Sequence, residues 1–179
     1  MENDVKEILI SQEEIIAKIK ELGQQISKDY SQEQELIVVG ILKGAIIFLS
    51  DLVREINLPI ALDFMAVSSY GTGTESSGAV RILKDLERDV ENKHVLIVED
   101  IVDTGLTLKY LLDNLHARKP ASVKTCTMLD KPSRRLVDVT VNYNGFSIPD
   151  KFVVGYGLDY GENYRNLPYI AVLKPETYQ

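Results

Sequence analysis

Apolar residues along this chain keep two different periods, and the places where one gives way to the other mark its elements. Ile15, Ile19, Leu22 and Ile26 recur every three or four positions, the spacing that lines one face of a helix, and Ser11 with Glu14 reads as a capping box where that face begins. From Leu36 to Leu42 the run LIVVGIL is apolar without interruption, as expected of a strand buried on both faces. KGAIIFLSDLVREI then returns to helical spacing at Ile46, Leu49, Val53 and Ile56. The alternation continues with IALDFMAV (60–67) and HVLIVED (94–100) as strands, then a helix carrying Leu108, Leu111, Leu112 and Leu115 that stops ahead of Lys119 and Pro120. SVKTCTML (122–129) and VDVTV (137–141) complete the predicted strands.

Strand and helix in alternation predict an α/β fold with a mostly parallel central sheet flanked by helices. Ligands of such open sheets sit beyond the carboxyl ends of the strands. The stretches to inspect are therefore Lys43–Gly44, residues 68–78, 99–107 and 130–135. Glycine is concentrated in two stretches that predict loops, YGTGTESSG (70–78) and VGYGLDYG (154–161), and no internal repeat is present.

Composition narrows the partners. The chain has 179 residues, 45% of them hydrophobic, enough for the core of one domain spanning 1–179. Its formal charge of -7 offers no general basic field for nucleic acid or anionic lipid, so a polyanion must be held by a local site. Cys126 is the only cysteine, which excludes an internal disulfide, and with two histidines it cannot build a usual four-ligand zinc site. MENDVKEILI is acidic where a signal peptide is basic, and no apolar run approaches the ~20 residues of a membrane span. A cytoplasmic protein, with neither nucleic acid nor membrane as partner, is expected.

The chemistry concentrates in VLIVEDIVDTGLT (95–107), where Glu99, Asp100 and Asp103 follow a greasy strand. Asp103–Thr107 is a strand-to-helix turn that serves equally as a plain helix N-cap or as a phosphate cradle of backbone amides at a helix N-terminus. Capping leaves Glu99 and Asp100 unexplained, and they would repel a phosphate bound alone. A ribose diol or a Mg²⁺ shared with phosphate oxygens satisfies them. The spacing does not fit a calcium loop.

That stretch resembles the phosphoribosyl pyrophosphate signature of the type I phosphoribosyltransferases. GILKGAIIF, SSYGTGTESSG, LDKPSRR and IPDKFVVGYGLDYGENYR extend the resemblance, over nearly the whole chain, to the hypoxanthine-guanine phosphoribosyltransferases. The resemblance implies that family's fold, with a small hood built from terminal segments. It implies conversion of hypoxanthine or guanine plus phosphoribosyl pyrophosphate to IMP or GMP and pyrophosphate, with Mg²⁺ as cofactor, in a homo-oligomer (dimer or tetramer).

Site residues carry over where they match. The backbone of Asp103, Thr104, Gly105, Leu106 and Thr107 would cradle the 5'-phosphate. Glu99 and Asp100 would hold the ribose hydroxyls, directly or through Mg²⁺, and Asp103 would accept the purine N7 proton as general base. Lys43 and Gly44 would meet pyrophosphate beside a cis peptide between Leu42 and Lys43, with Arg165 clamping the same group. Ser69 and Tyr70 would close with their loop over it and exclude water. Lys131 would donate to O6, which adenine cannot accept. Phe152 would stack on the base, the main chain of Val153 would read its edge, and Asp159 would lie near the 2-amino side or a second Mg²⁺.

Two alternatives stand beside this reading. A xanthine-preferring relative would need only small adjustments around Val153 and Asp159. A nucleotide-sensing, RNA-binding regulator on the same fold would need a basic face, and the only evident cluster is DKPSRR. A dinucleotide-binding domain is excluded by the lack of a G-x-G-x-x-G after a strand.

Overall fold

The computed structural model describes residues 2–32, 35–69 and 80–177. In chain order the elements are β1 (Val5–Ile10), α1 (Gln12–Asp29), β2 (Leu36–Leu42), α2 (Ile46–Glu55), β3 (Ile60–Ser69), β4 (Val80–Lys84), β5 (His94–Val102), α3 (Leu106–His116), β6 (Ser122–Asp130), β7 (Tyr143–Ser147), β8 (Val153–Val154) and β9 (Ile170–Leu173). Six strands form the main sheet in the order β4-β3-β2-β5-β6-β7. All its neighbours are parallel except β4, which runs antiparallel to β3 at the edge. The expected mostly parallel sheet is present.

The uninterrupted apolar run of β2 is used on both faces. Val38 points with Leu96 and Val98 into a core closed by Ile15, Ile19, Leu22 and Ile26 of α1 and by Phe48, Leu49 and Leu52 of α2. Ile37, Val39, Val95 and Ile97 face the opposite way, onto Leu108, Leu111 and Leu115 of α3. Burying such a face on each side keeps water from the ladder and fixes the register, because a slip of one residue would exchange the two faces. Ser11 accepts from the Glu14 amide at 3.2 Å while Glu14 accepts from the Ser11 amide at 2.8 Å, so the capping box is formed.

Two details differ from expectation. On α2 the inner stripe is Phe48, Leu49 and Leu52, whereas Ile46 is 40% exposed and Val53 packs only at the margin. That helix is apolar around most of its circumference, so periodicity alone does not select its inward face. Residues 137–141 form no strand. Val139 and Val141 pack against the α3 side of the core, and the ladder on β6 starts only at Tyr143. Alternation there marks an extended segment held by side chains rather than by backbone pairing.

A second sheet, ordered β1-β9-β8 and antiparallel throughout, joins both terminal segments into the expected hood. No helix among the described residues is long and apolar enough to cross a membrane.

Candidate active site

The carboxyl ends of β2, β3 and β5 open toward Asp159 and Arg165, and backbone contact holds the loop after β2 in place. A Cβ on Gly44 would stand 1.6 Å from Asp100 Oδ2, and a Cβ on Gly157 would stand 2.1 Å from the Gly44 carbonyl oxygen. The loop after β2 is thus sandwiched between the end of β5 and the hood side. The Leu42–Lys43 peptide is cis, as the resemblance implied. A cavity of about 400 Å³ lies here, lined among others by Gly44, Glu99, Asp100, Thr107, Asp159 and Arg165. Through Glu99 and Thr107 it borders a hollow of about 90 Å³ formed by residues 101–108. A larger cleft, about 650 Å³ between α1, α2 and residues 156–168, contains none of the sequence-predicted site residues.

Glu99 is 7% exposed and has no cation or hydrogen-bond donor against it among the described residues. Burial, and then the neighbouring Asp100 charge, push its carboxyl well above the usual range. Burial likewise pushes Asp100 up to about 6, against the opposing pull of its bond from the Ile101 amide (2.8 Å) and of Arg165. Two acids that resist ionisation at a cavity wall mark a place built for a partner that stabilises their charge or donates hydroxyl hydrogens to it.

Beyond them the chain turns at Gly105, whose φ of 84° is open to glycine at little cost. The first-turn amides of α3 have no carbonyl a turn earlier to bond, which leaves donors facing the smaller hollow. Thr104 fixes the turn: its Oγ1 accepts from the Leu106 amide at 3.4 Å and its carbonyl from Leu136 at 2.9 Å. Asp103 at the mouth pairs with Arg134, Nε to Oδ1 at 2.9 Å, yet that buried oxygen has no aligned hydrogen-bond donor.

Lys131 is only 7% exposed, anchored by its amide to the Val102 carbonyl at 2.9 Å. Its Nζ lies 3.7 Å from Asp150, which also meets Arg134 at 3.4 Å. Phe152 is 42% exposed, edge-on to Tyr160 at 5.7 Å, while Val153 turns its side chain into the core from β8. On the opposite side of the cavity Lys43 donates to Glu162 at 2.8 Å. Arg165 bonds the Gly157 carbonyl at 2.8 Å and pairs with Asp159 at 2.8 Å and Glu162 at 3.4 Å. Ser69 ends β3, and Tyr70 with the rest of its loop lies outside the described residues.

The phosphoribosyl transferase domain family matches residues 4–161. The chain belongs to the phosphoribosyltransferase family. The hypoxanthine-guanine phosphoribosyltransferase of Bacillus subtilis (strain 168) is 52% identical over 179 residues, covering 100% of this chain and 99% of the relative. That of Staphylococcus aureus (strain Mu50) is 56% identical over 178 residues, covering 99% of each. A crystal structure of a hypoxanthine phosphoribosyltransferase from Staphylococcus aureus superposes with a TM-score of 0.96 at 55% identity, covering 100% of this chain and 97% of that one. This phosphoribosyltransferase is accordingly an enzyme of pentosyl transfer.

Three charged residues around the phosphoribosyltransferase site carry no signal that sequence reasoning used: Arg134, Asp150 and Glu162. Arg134 and Asp150 were legible only as surface charges within the quoted motifs, and Glu162 meets Lys43 across 119 positions of sequence, a distance at which no local pattern speaks. No three His, Cys, Asp or Glu side chains among the described residues converge closely enough to hold a metal alone. Glu99 and Asp100 still fit Mg²⁺, a hard cation that takes oxygen ligands and completes its shell with water and substrate phosphates.

Proposed function

We propose that the chain, acting as one domain, transfers the phosphoribosyl group of phosphoribosyl pyrophosphate to hypoxanthine or guanine, giving IMP or GMP and pyrophosphate. The observation that carries this reading is the order of groups along one strand end: a buried acid and a half-buried one, both reluctantly ionised, then an amide-lined turn beginning at Gly105. The acids suit a ribose diol, and the turn suits the 5'-phosphate on Thr104, Gly105, Leu106 and Thr107.

In the reaction the bond from C1 of the ribose to the pyrophosphate oxygen breaks, and a bond from C1 to N9 of the base forms. The proton on N7 goes to Asp103, whose buried Oδ1 has no aligned hydrogen bond. Lys43, the Gly44 backbone and Arg165 take up the departing pyrophosphate. Lys131 donates to O6, the exposed ring of Phe152 stacks on the base, and the Val153 main chain meets its edge. Ser69 and Tyr70 would close with their loop over the pyrophosphate and exclude water. Glu99 and Asp100, with Asp159 nearby, would hold Mg²⁺, which would supply positive charge to offset the anionic substrate. Ionised carboxylates near C1 also stabilise the cationic sugar as its leaving group departs.

Self-association as a dimer or tetramer belongs to the same reading, and light scattering tests it. The deciding assay for the reaction is purified protein with labelled phosphoribosyl pyrophosphate, Mg²⁺ and a panel of hypoxanthine, guanine, xanthine and adenine. Nucleotide formed from the first two bases is the expected result. Product only from xanthine or adenine, or none at all, refutes the reading.

A further inference from the structure

The two side chains assigned to the N7 and O6 edge of the purine, Asp103 and Lys131, are both occupied by protein charges. Arg134 Nε stands 2.9 Å from Asp103 Oδ1, Arg134 Nη1 stands 3.4 Å from Asp150, and Asp150 Oδ1 stands 3.7 Å from Lys131 Nζ. Charge alternates along this chain of four, from the acid that receives a proton to the ammonium that gives a hydrogen bond.

Local geometry accounts for the arrangement. Lys131 precedes a short 3-10 turn, Pro132–Arg134, closed by the Arg134 amide on the Lys131 carbonyl at 3.1 Å. Three residues per turn place positions i and i+3 on one side, so the same turn that buries Lys131 delivers Arg134 beside it. The next residue, Arg135, is tied to Asp130 and its side chain lies against Gly105, which fixes the turn relative to the phosphate-side loop.

The polarity of the chain matches that of a ligand edge. A 6-oxopurine offers an N–H donor at N7 and, on C6 two ring positions along, an acceptor at O6. Arg134 offers a cationic N–H group to Asp103, and Asp150 offers an acceptor to Lys131. An adenine edge carries a donor at position 6 and has no counterpart here.

We propose that Arg134, tethered to Asp150, is a positioning residue that stands where the N7–H and O6 edge of the incoming 6-oxopurine comes to lie, so that it competes with the base and sets its affinity. This inference rests on the reading above of Asp103 and Lys131 as the base-contacting groups. The contact is suited to leave: Arg134 and Asp103 are 42% and 41% exposed, and the Asp103 oxygen has no aligned hydrogen bond from it. While Arg134 is in place Asp103 keeps its counter-charge; when the base arrives, the buried acceptor gains a donor in line. A base that must displace a resident group binds with an apparent affinity lowered by the fraction of molecules in which that group is seated.

The test is steady-state kinetics with Mg²⁺, phosphoribosyl pyrophosphate and hypoxanthine or guanine on wild type, Arg134→Met, Arg134→Gln and Arg134→Lys. An exposed ion pair of this kind is weak, so removing the cation is expected to lower KM for the base by roughly two- to fivefold. KM for phosphoribosyl pyrophosphate stays put, and Arg134→Lys, which keeps the charge, lies closer to wild type than the neutral variants. An unchanged KM for the base makes Arg134 a solvated bystander and overturns the inference. A raised one means that Arg134 attracts the base, and a raised KM for phosphoribosyl pyrophosphate means that it serves the sugar phosphate; either overturns it as well. If wild type forms no nucleotide from either base, the proposed function itself fails. If wild type turns over normally and the variants match it, only the role of Arg134 does.

Discussion

Replacing Gly44 with alanine separates the placement of one carboxylate from the stability of the fold. The added methyl would lie 1.6 Å from Asp100 Oδ2, whereas ordinary contact begins near 3.4 Å, so the carboxylate must retreat by roughly 2 Å. What must give way is a side chain rather than the backbone. Losing the bond from the Ile101 amide to Asp100 costs about 1 kcal/mol, and alanine returns about 0.4–1 kcal/mol by narrowing the unfolded ensemble. Net stability changes by less than about 1 kcal/mol, a melting-temperature shift of at most about 2–4 °C for a chain of this length. Catalysis is far less tolerant, since a misplacement of about 1 Å costs on the order of 10²-fold. Nucleotide formation measured beside thermal unfolding should show kcat/KM down by roughly 10² or more at nearly unchanged Tm. Gly157→Ala is the contrasting control: φ is 101°, and the methyl meets the Gly44 carbonyl at 2.1 Å, so stability falls as well. If Gly44→Ala keeps turnover within about threefold of wild type, Asp100 does not act from the position described.

Asp103→Asn conserves shape but removes the proton acceptor, so kcat should fall by roughly 10² to 10⁴ while substrate binding, followed by calorimetry, persists; undiminished kcat refutes the assignment. Lys131→Ala should erode the preference for 6-oxopurines over adenine, read as a ratio of kcat/KM values, and an unaltered ratio means O6 is met elsewhere. The buried acids make stability depend on pH. Folding holds the Asp100 carboxyl up at about 6, above its ordinary 3.8, and the native chain therefore binds more protons than the unfolded one between these values. Without ligands, stability should fall as pH rises through that window and level off above it, with Glu99 extending the decline upward. Denaturant titrations from pH 4 to 8 check this, and a rise across the same range contradicts the burial of the pair.

Much of this architecture was legible because burial on two faces leaves a coarse mark: β2 and β5 announce themselves as unbroken apolar runs, and α1 as a stripe behind Ser11 and Glu14. The turn at Gly105 was legible too, since its acids, glycine and hydroxyls are contiguous in sequence. What sequence could not order was contact across distance. The approach of Gly44 to Asp100 and of Gly157 to Gly44 depends on the packing of three separate segments. Lys43 and Glu162 are likewise brought together by the hood. Residues 137–141 misled because alternation reports which side chains face inward and says nothing of whether a neighbouring strand is there to bond.

The order of the hood sheet ties the framing of Phe152 to its last strand, β9. β9 is its central strand, with β1 from the beginning of the chain on one side and β8, next to Phe152, on the other. A nascent polypeptide stopped before Ile170 already contains every strand of the main sheet and the sugar-phosphate turn, but β1 and β8 have nothing to bridge them. On the proposed reading, a prematurely terminated product would therefore hold the turn assigned to the sugar phosphate without a framed support for Phe152, and would bind the donor substrate without consuming it.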